Sequence, residues 1–280
     1  MTKPVRKATT ASTPVVIDGA GGRRIRHDRV VTEEPMEIRV GGPGEEPRPI
    51  AVTMRTPGHD FELAAGYLWT ERIARSRADV REVKYCVREV GSAQLYNIVT
   101  VRLGHALGDE AGRRAAVTSA SCGICGTASL DQLELDIEAI DTASGPTMDA
   151  AVLVTLPDRL RAGQVGFDQT GGLHAAGISD ATGEMTVLRE DVGRHNAVDK
   201  VIGHELLAGR VPMHDRVLVV SGRTSFEIVQ KAATAGLAMI VAVSAPSSLA
   251  IDAAERFGIT LVGFVRGGTA NVYTHPQRVA

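Results

Sequence analysis

The sequence predicts a protein of mixed α+β and α/β class, with a layered α/β C-terminal domain preceded by a smaller α+β N-terminal part. Three observations predict it. Short apolar β-rich runs at 217–220, 239–243 and 259–265 alternate with helix-like stretches at 225–236 and 247–257, the βαβαβ pattern of a parallel sheet. The N-terminal region lacks that alternation and reads as strand pairs around one amphipathic helix. A length of 280 residues gives room for one or two domains, either able to bury a core.

Residues 1–22 are rich in Thr, Ser, Ala and Gly without apolar periodicity, and are expected to form a flexible tail. In the N-terminal part, 23–116, runs at 30–40 and 50–54 read as strands separated by the turn cluster Gly41-Gly42-Pro43-Gly44. Asp60 is placed to cap a helix whose apolar face carries Phe61, Leu63, Ala64, Ala65, Tyr67 and Leu68. Two more strands are expected at 80–90 and 95–103. Residues 117–128 are small, polar and punctuated by glycine, so they read as a loop. The C-terminal domain, 129–280, opens on a Ser129/Gln132 capping box and a stripe of Leu130, Leu133, Ile137 and Ile140. Strands at 173–178 and 185–188 flank the turn Asp180-Ala181-Thr182-Gly183, and a helix is expected over 195–207. No internal repeat of fixed period is visible.

Composition narrows the function classes. Hydrophobic residues make up 44% and charged residues 23%, with mean hydropathy +0.01, all within the soluble globular range. Lys and Arg total 31 against 33 Asp and Glu, so the net charge of -2 gives no general pull toward nucleic acid or membranes. An anionic ligand must therefore be held locally. The longest apolar stretch, 237–243, is far shorter than the ~18 residues of a membrane span. The first twenty residues contain no signal-peptide core, and Arg23-Arg24 is followed by Ile25-Arg26-His27-Asp28-Arg29, which excludes a twin-arginine signal. Three cysteines fit a reducing cytoplasm better than a disulfide-stapled secreted domain.

Cys122-Gly123-Ile124-Cys125-Gly126 is the strongest chemical signal. Two thiols at this spacing share a turn, and a helix start nearby favours thiolate over thiol. A dithiol redox pair, half a zinc site and a persulfide-forming sulfur carrier all remain open, beside inert small residues. There is no second C-x-x-C and no distinctive histidine spacing, so no structural metal is expected. The H-x-E triplet of zinc nucleoside deaminases is absent, and Ser121 stands where their proline would be. A thioredoxin-like site would place the pair early in a βαβ unit, which is not its position here.

Other segments are weaker alone. His174, in Thr170-Gly171-Gly172-Leu173-His174-Ala175-Ala176, is either a hydrogen-bonded structural residue or a group that moves thiol protons. The run from Arg189 to Lys200 crowds both charge signs. Asp191 is placed to cap the helix and His195 to pair with Asp199, and the plainer reading is a solvated, salt-bridged face. Ser221-Gly222-Arg223-Thr224-Ser225 sits between a strand and a helix, where free N–H groups can hold phosphate. Phe264, Val265, Arg266, Gly267, Gly268 and Thr269 close the last strand, with Arg266 able to pair with phosphate and the glycines open to close backbone approach. Both loops are candidate walls of one nucleotide site. Neither matches a Walker motif or G-x-G-x-x-G.

The cysteine segment, the Thr170 to Ala176 run, Glu190-Asp191-Val192-Gly193-Arg194-His195-Asn196-Ala197-Val198-Asp199-Lys200 and Ser221-Gly222-Arg223-Thr224-Ser225 together resemble the FdhD family of formate dehydrogenase accessory sulfur carriers. The similarity runs from about residue 30 to 279 in the same motif order. It implies a cytoplasmic, homodimeric sulfurtransferase with a cytidine-deaminase-like fold. Such a protein takes sulfane sulfur from a cysteine desulfurase and delivers it to molybdenum bis(molybdopterin guanine dinucleotide) for formate dehydrogenase. On this resemblance Cys122 carries the persulfide, Cys125 assists transfer, and Phe264 to Thr269 bind the guanine-nucleotide part of the cofactor. A non-catalytic chaperone that only escorts the cofactor, and a dithiol redox protein, are the competing classes.

Overall fold

A computed structural model describes residues 8–86, 96–107 and 137–280. Cys122, Cys125, the whole 117–128 loop and the Ser129/Gln132 capping box lie outside the described residues. So does the end of the strand expected over 80–90.

The chain begins with two small ribbons. β1 (Thr9–Ser12) pairs antiparallel with β4 (Asp28–Val31), and β2 (Val15–Ile17) with β3 (Arg23–Ile25). From Thr9 onward, then, the segment read as a flexible tail is paired backbone. The Thr- and Val-containing runs are too short to show alternation, so composition alone misleads there.

β5 (Glu34–Gly41) and β6 (Arg48–Arg55) form the expected hairpin, and β7 (Val80–Tyr85) and β8 (Ile98–Leu103) complete a four-stranded sheet in the order β6-β5-β8-β7. Helix α1 (Asp60–Thr70) follows the hairpin. Its cap is His59, in the left-handed conformation at φ 57°. Asp60 is instead the first helical residue, and its carboxylate accepts a two-pronged bond from buried Arg55, at 3.0 and 2.9 Å.

Three short helices, α2 (Ala150–Leu153), α3 (Leu156–Ala162) and α4 (Val165–Thr170), precede the second sheet. That sheet is built from β9 (His174–Ser179), β10 (Met185–Asp191), β11 (Val217–Val220), β12 (Met239–Ala242), β13 (Thr260–Arg266) and β14 (Thr269–Val272), ordered β10-β9-β11-β12-β13-β14. β11, β12 and β13 are parallel, with α6 (Phe226–Thr234) and α7 (Ser248–Arg256) as the crossovers. This is the expected βαβαβ unit. β9 and β10 extend it as an antiparallel pair, and α5 (Arg194–Leu207) follows β10. The turn between β9 and β10 is held by Asp180, whose Oδ1 accepts from Thr182 N at 2.9 Å and Glu184 N at 3.0 Å.

Alternation along the parallel strands divides the core. Val217, Val219, Met239 and Val241 pack with Met148, Leu153, Leu156 and Leu160 beneath the sheet. Leu218, Val220, Ile240 and Leu261 face the other way, into a core that also holds Ile38, Leu63, Leu68, Val99 and Val201. That second core belongs to both halves of the chain. At its centre α1 crosses α5 with backbones touching, since a Cβ on Gly66 would overlap the Asp199 carbonyl and one on Gly203 the Glu62 carbonyl.

The Arg189 to Lys200 run is not a solvated face. Asp191 and Lys200 pair at 2.6 Å, and Asp199 pairs at 2.8 Å with Lys231, not with His195. Each pair is tied to the N-terminal part: Thr56 N donates to Asp191 at 3.2 Å, Lys200 donates to Thr56 O at 3.0 Å, and the Thr70 hydroxyl donates to Asp199 at 2.9 Å. Asp191 also accepts from Gly193 N and Asn196 Nδ2, at 2.8 and 3.0 Å, and so braces the turn into α5 without capping it. These partners are distant in sequence, so i,i+4 spacing does not reveal them.

Candidate functional site at the strand ends

Parallel strands deliver all their carboxyl ends to one edge of a sheet, which is where open α/β folds bind ligands. Here that edge gathers 221–225 after β11, 243–247 after β12 and the end of β13 at Arg266. Because β9 runs antiparallel to β11, its first residue, His174, arrives at the same edge, opposite Asp191 at the end of β10. The first turn of α5 follows three residues later. Topology thus assembles segments that are scattered through the sequence.

Hydrogen bonds fix the loops. The Ser221 hydroxyl accepts from Ala175 N at 2.8 Å while Ser221 N donates to Ala175 O at 3.0 Å. Thr224 N donates to Ala245 O at 3.2 Å, and Phe264 N donates to Ser244 O at 3.2 Å. The two predicted walls, Ser221 to Thr224 and Phe264 to Thr269, are therefore joined through the 244–246 connector between them. Sequence reasoning missed that connector. Its signal was available, because Ser244-Ala245-Pro246-Ser247 follows a strand end and precedes a helix just as 221–225 does.

The two walls differ in build. Thr224 is buried and Arg223 exposed, whereas Arg266, Gly267, Gly268 and Thr269 are all exposed. Gly267 and Gly268 have φ of 60° and 76° and join β13 to β14, so the glycines are required by a tight hairpin turn with two left-handed residues. Phe264 also adopts the left-handed conformation, at φ 52°, which is costly for a bulky residue and holds its ring 5.5 Å from the Arg266 guanidinium. Val265 is buried in the lower core.

Two imidazoles face the 221–225 turn. A Cβ on Gly222 would stand 3.2 Å from His174 Nδ1 and 3.8 Å from Arg194 Cδ, so a side chain there would crowd both. His195 Nε2 lies 3.2 Å from the Ser225 hydroxyl and 3.9 Å from Glu227. Burial first, then the Arg194 charge, lowers the pKa of His174 against the pull of Asp191. Burial, Arg194 and Lys231 lower that of His195 to about 4, against Glu227. Both shifts disfavour the protonated form, so His195 is neutral at pH 7 and a weak base there. Arg194, which the sequence reading left among surface charges, sits in their midst.

A cavity of about 480 Å³ opens at the other edge of the sheet, between Trp69, Arg72, Ile137, Asp141, Pro212 and His214. It is remote from the strand-end loops. Among the described residues no three His, Cys, Asp or Glu side chains converge as metal ligands would, and no helix is long and apolar enough to cross a membrane.

Comparison with known proteins adds a further layer. The profile of the FdhD/NarQ family matches residues 31–280. A sulfur carrier protein FdhD from Streptomyces avermitilis is 47% identical over 264 residues, covering 93% of this chain and 92% of the relative. One from Mycolicibacterium paratuberculosis is 48% identical, covering 93% and 95%. The crystal structure of a candidate formate dehydrogenase accessory protein from Desulfotalea psychrophila superposes with a TM-score of 0.75 at 25% identity, covering 98% of this chain and all of that one.

Proposed function

Since the chain belongs to the FdhD/NarQ family, we propose that it is a sulfur carrier for formate dehydrogenase, acting through a persulfide on Cys122. One observation carries the reading: similarity to proteins named as sulfur carriers extends over nearly the whole chain, and the chain contains the Cys122-Gly123-Ile124-Cys125 pair.

The chemistry is thiol exchange. The Cys122 thiolate attacks the outer sulfur of a cysteine desulfurase persulfide, the donor S–S bond breaks, and the desulfurase thiolate leaves. Attack by the Cys125 thiolate on Cys122 Sγ then forms a Cys122–Cys125 disulfide and releases hydrosulfide, with the two thiols supplying the two electrons. The acceptor is molybdenum bis(molybdopterin guanine dinucleotide), held as cargo by Ser221, Gly222, Arg223 and Thr224 on one wall and Phe264 to Thr269 on the other. Exposed Arg223 and Arg266 suit its phosphates, and the shared 244–246 connector sets the walls' spacing. We further read the protein as a cytoplasmic homodimer, with its α/β sheet related to the cytidine deaminase fold.

Intact-mass measurement after incubation with cysteine and a cysteine desulfurase tests the proposal. The expected result is a reductant-sensitive gain of one sulfur in wild type and none in Cys122→Ala. No gain in either protein, with an active desulfurase alongside, would move the assignment to a chaperone that only escorts the cofactor. Steady disulfide turnover without a persulfide would move it to a dithiol redox protein.

A further inference from the structure

The N-terminal ribbon turns an apolar surface to water. β2 and β3 form a two-stranded sheet in which Val15 stands opposite Ile25 and Ile17 opposite Arg23. Opposed residues share a face, as do residues two apart on a strand, so Val15, Ile17 and Ile25 make one apolar patch with Arg23 at its end. They are 58%, 65% and 73% exposed. A two-stranded ribbon is marginal in water on its own, and apolar side chains gathered on one of its faces mark a contact surface.

The base of the ribbon is fixed to the body. Arg29 of β4 donates to Gln169 of α4 at 3.2 Å, and Val31 lies against Gly172. Farther out, β2, the turn 18–22 and β3 are exposed throughout except for half-buried Val16. Charge divides along the same line. Residues 1–31 hold seven Lys and Arg against two Asp, while residues 32–280 hold 24 Lys and Arg against 31 Asp and Glu. A basic arm thus projects from an acidic body. Two arms laid together would oppose like charges, whereas an arm on the body of another copy matches in sign. The body also offers an apolar landing place. Val52 and Met54, 51% and 40% exposed, are two apart on β6 and share its outer face with Glu37 and Pro35 of β5; β6 is an edge strand of its sheet. The other exposed large apolar residues of the body, Val165, Leu249 and Val272, lie on separate elements.

We propose that the ribbon is a docking arm for a second copy of this chain, its Val15, Ile17 and Ile25 face lying on Val52 and Met54 of the other copy's β6. Arg23, Arg24, Arg26 and Arg29 then approach an acidic partner. Reciprocal exchange makes the contact twice, once for each arm. The inference rests on the homodimer reading and goes beyond it by naming the two surfaces. Most of the arm lies ahead of the stretch that the family profile matches, which begins at residue 31.

Sedimentation equilibrium would be run on full-length wild type, the double variants Ile17→Asp with Ile25→Asp and Arg23→Glu with Arg24→Glu, and Val52→Asp, with circular dichroism as the folding control. Wild type is expected to dimerise with a dissociation constant that rises with salt. Each variant should weaken the dimer about tenfold or more, and the arginine pair should also flatten the salt dependence. A benzophenone side chain in place of Ile17, in a mixture of isotopically heavy and light copies, should on illumination link to the β6 peptide of the other copy. If the Ile17→Asp, Ile25→Asp variant fails to fold, the arginine variant and the crosslink decide the matter. A wild-type dimer with every variant within about twofold of it, or a crosslink that falls elsewhere, would overturn the arm and leave the homodimer reading standing. A wild type that stays monomeric at every soluble concentration would overturn both, and flotation of that monomer with phosphatidylglycerol vesicles would reassign the patch to a lipid surface. Sulfur loading of Cys122 is read separately by intact mass, so the carrier reading stands or falls apart from these results.

Discussion

Asp191 and Lys200 face each other at 2.6 Å with 0% and 1% of their side chains exposed, and each also bonds to the backbone of Thr56 in the N-terminal part. Removing one member of such a pair strands the other charge in the interior, at a cost of about 3–5 kcal/mol. Asp191→Ala should therefore lower the urea midpoint strongly. Asp191→Asn with Lys200→Met should lower it much less, because no unpaired charge remains.

The contact between α1 and α5 leaves no room for a methyl group. Gly66→Ala and Gly203→Ala each push a Cβ into a backbone carbonyl of the opposite helix, where no side chain can move aside. Each substitution should destabilise the fold by roughly 1–3 kcal/mol or more. The double variant should fall short of the sum in thermal unfolding, since one separation of the helices relieves both clashes.

His195 gives stability a definite pH dependence. Burial, Arg194 and Lys231 depress its pKa from 6.5 to about 4, so between those values the unfolded chain binds a proton that the folded protein does not. Its contribution is therefore complete above pH 6.5 and is lost as pH falls through about 4. His174 shifts in the same direction. NMR should place the His195 midpoint well below 6.5, and His195→Gln should flatten the stability profile between pH 6.5 and 4.

The Gly267-Gly268 turn should control the outer edge of the sheet. Both residues occupy the left-handed region, which costs an L-residue roughly 1–2 kcal/mol at each position. Gly267→Ala and Gly268→Ala should speed hydrogen exchange in β14 while leaving β11 and β12 protected. Equal exchange in wild type and variants would contradict this.

The parts of the fold most legible in the sequence were those with strong local patterning. β11 is bounded as expected at 217–220, and α6 and α7 fall within the stretches assigned to them, because four-residue apolar runs alternate with amphipathic turns. α2, α3 and α4 were not foreseen, being only 4, 7 and 6 residues long, too short to display a helical period. The candidate walls at Ser221 to Thr224 and Phe264 to Thr269 were legible as loops after strands, but their connection through Ser244 and Ala245 depends on strand order. The charges from Arg189 to Lys200 were misread for a similar reason. Whether Asp191 faces water or Lys200 and Thr56 is decided by packing, and residue spacing carries no trace of it.

The core shared by the two halves has a mechanical meaning. Ile38 and Val99 of the four-stranded sheet belong to the same buried cluster as Leu218 and Ile240 of the six-stranded one, with α1 and α5 locked backbone to backbone between them. A jaw-like closing of one half upon the other would have to tear that cluster open. The loops at the strand ends are thus anchored on a core that neither half can leave without exposing it to water.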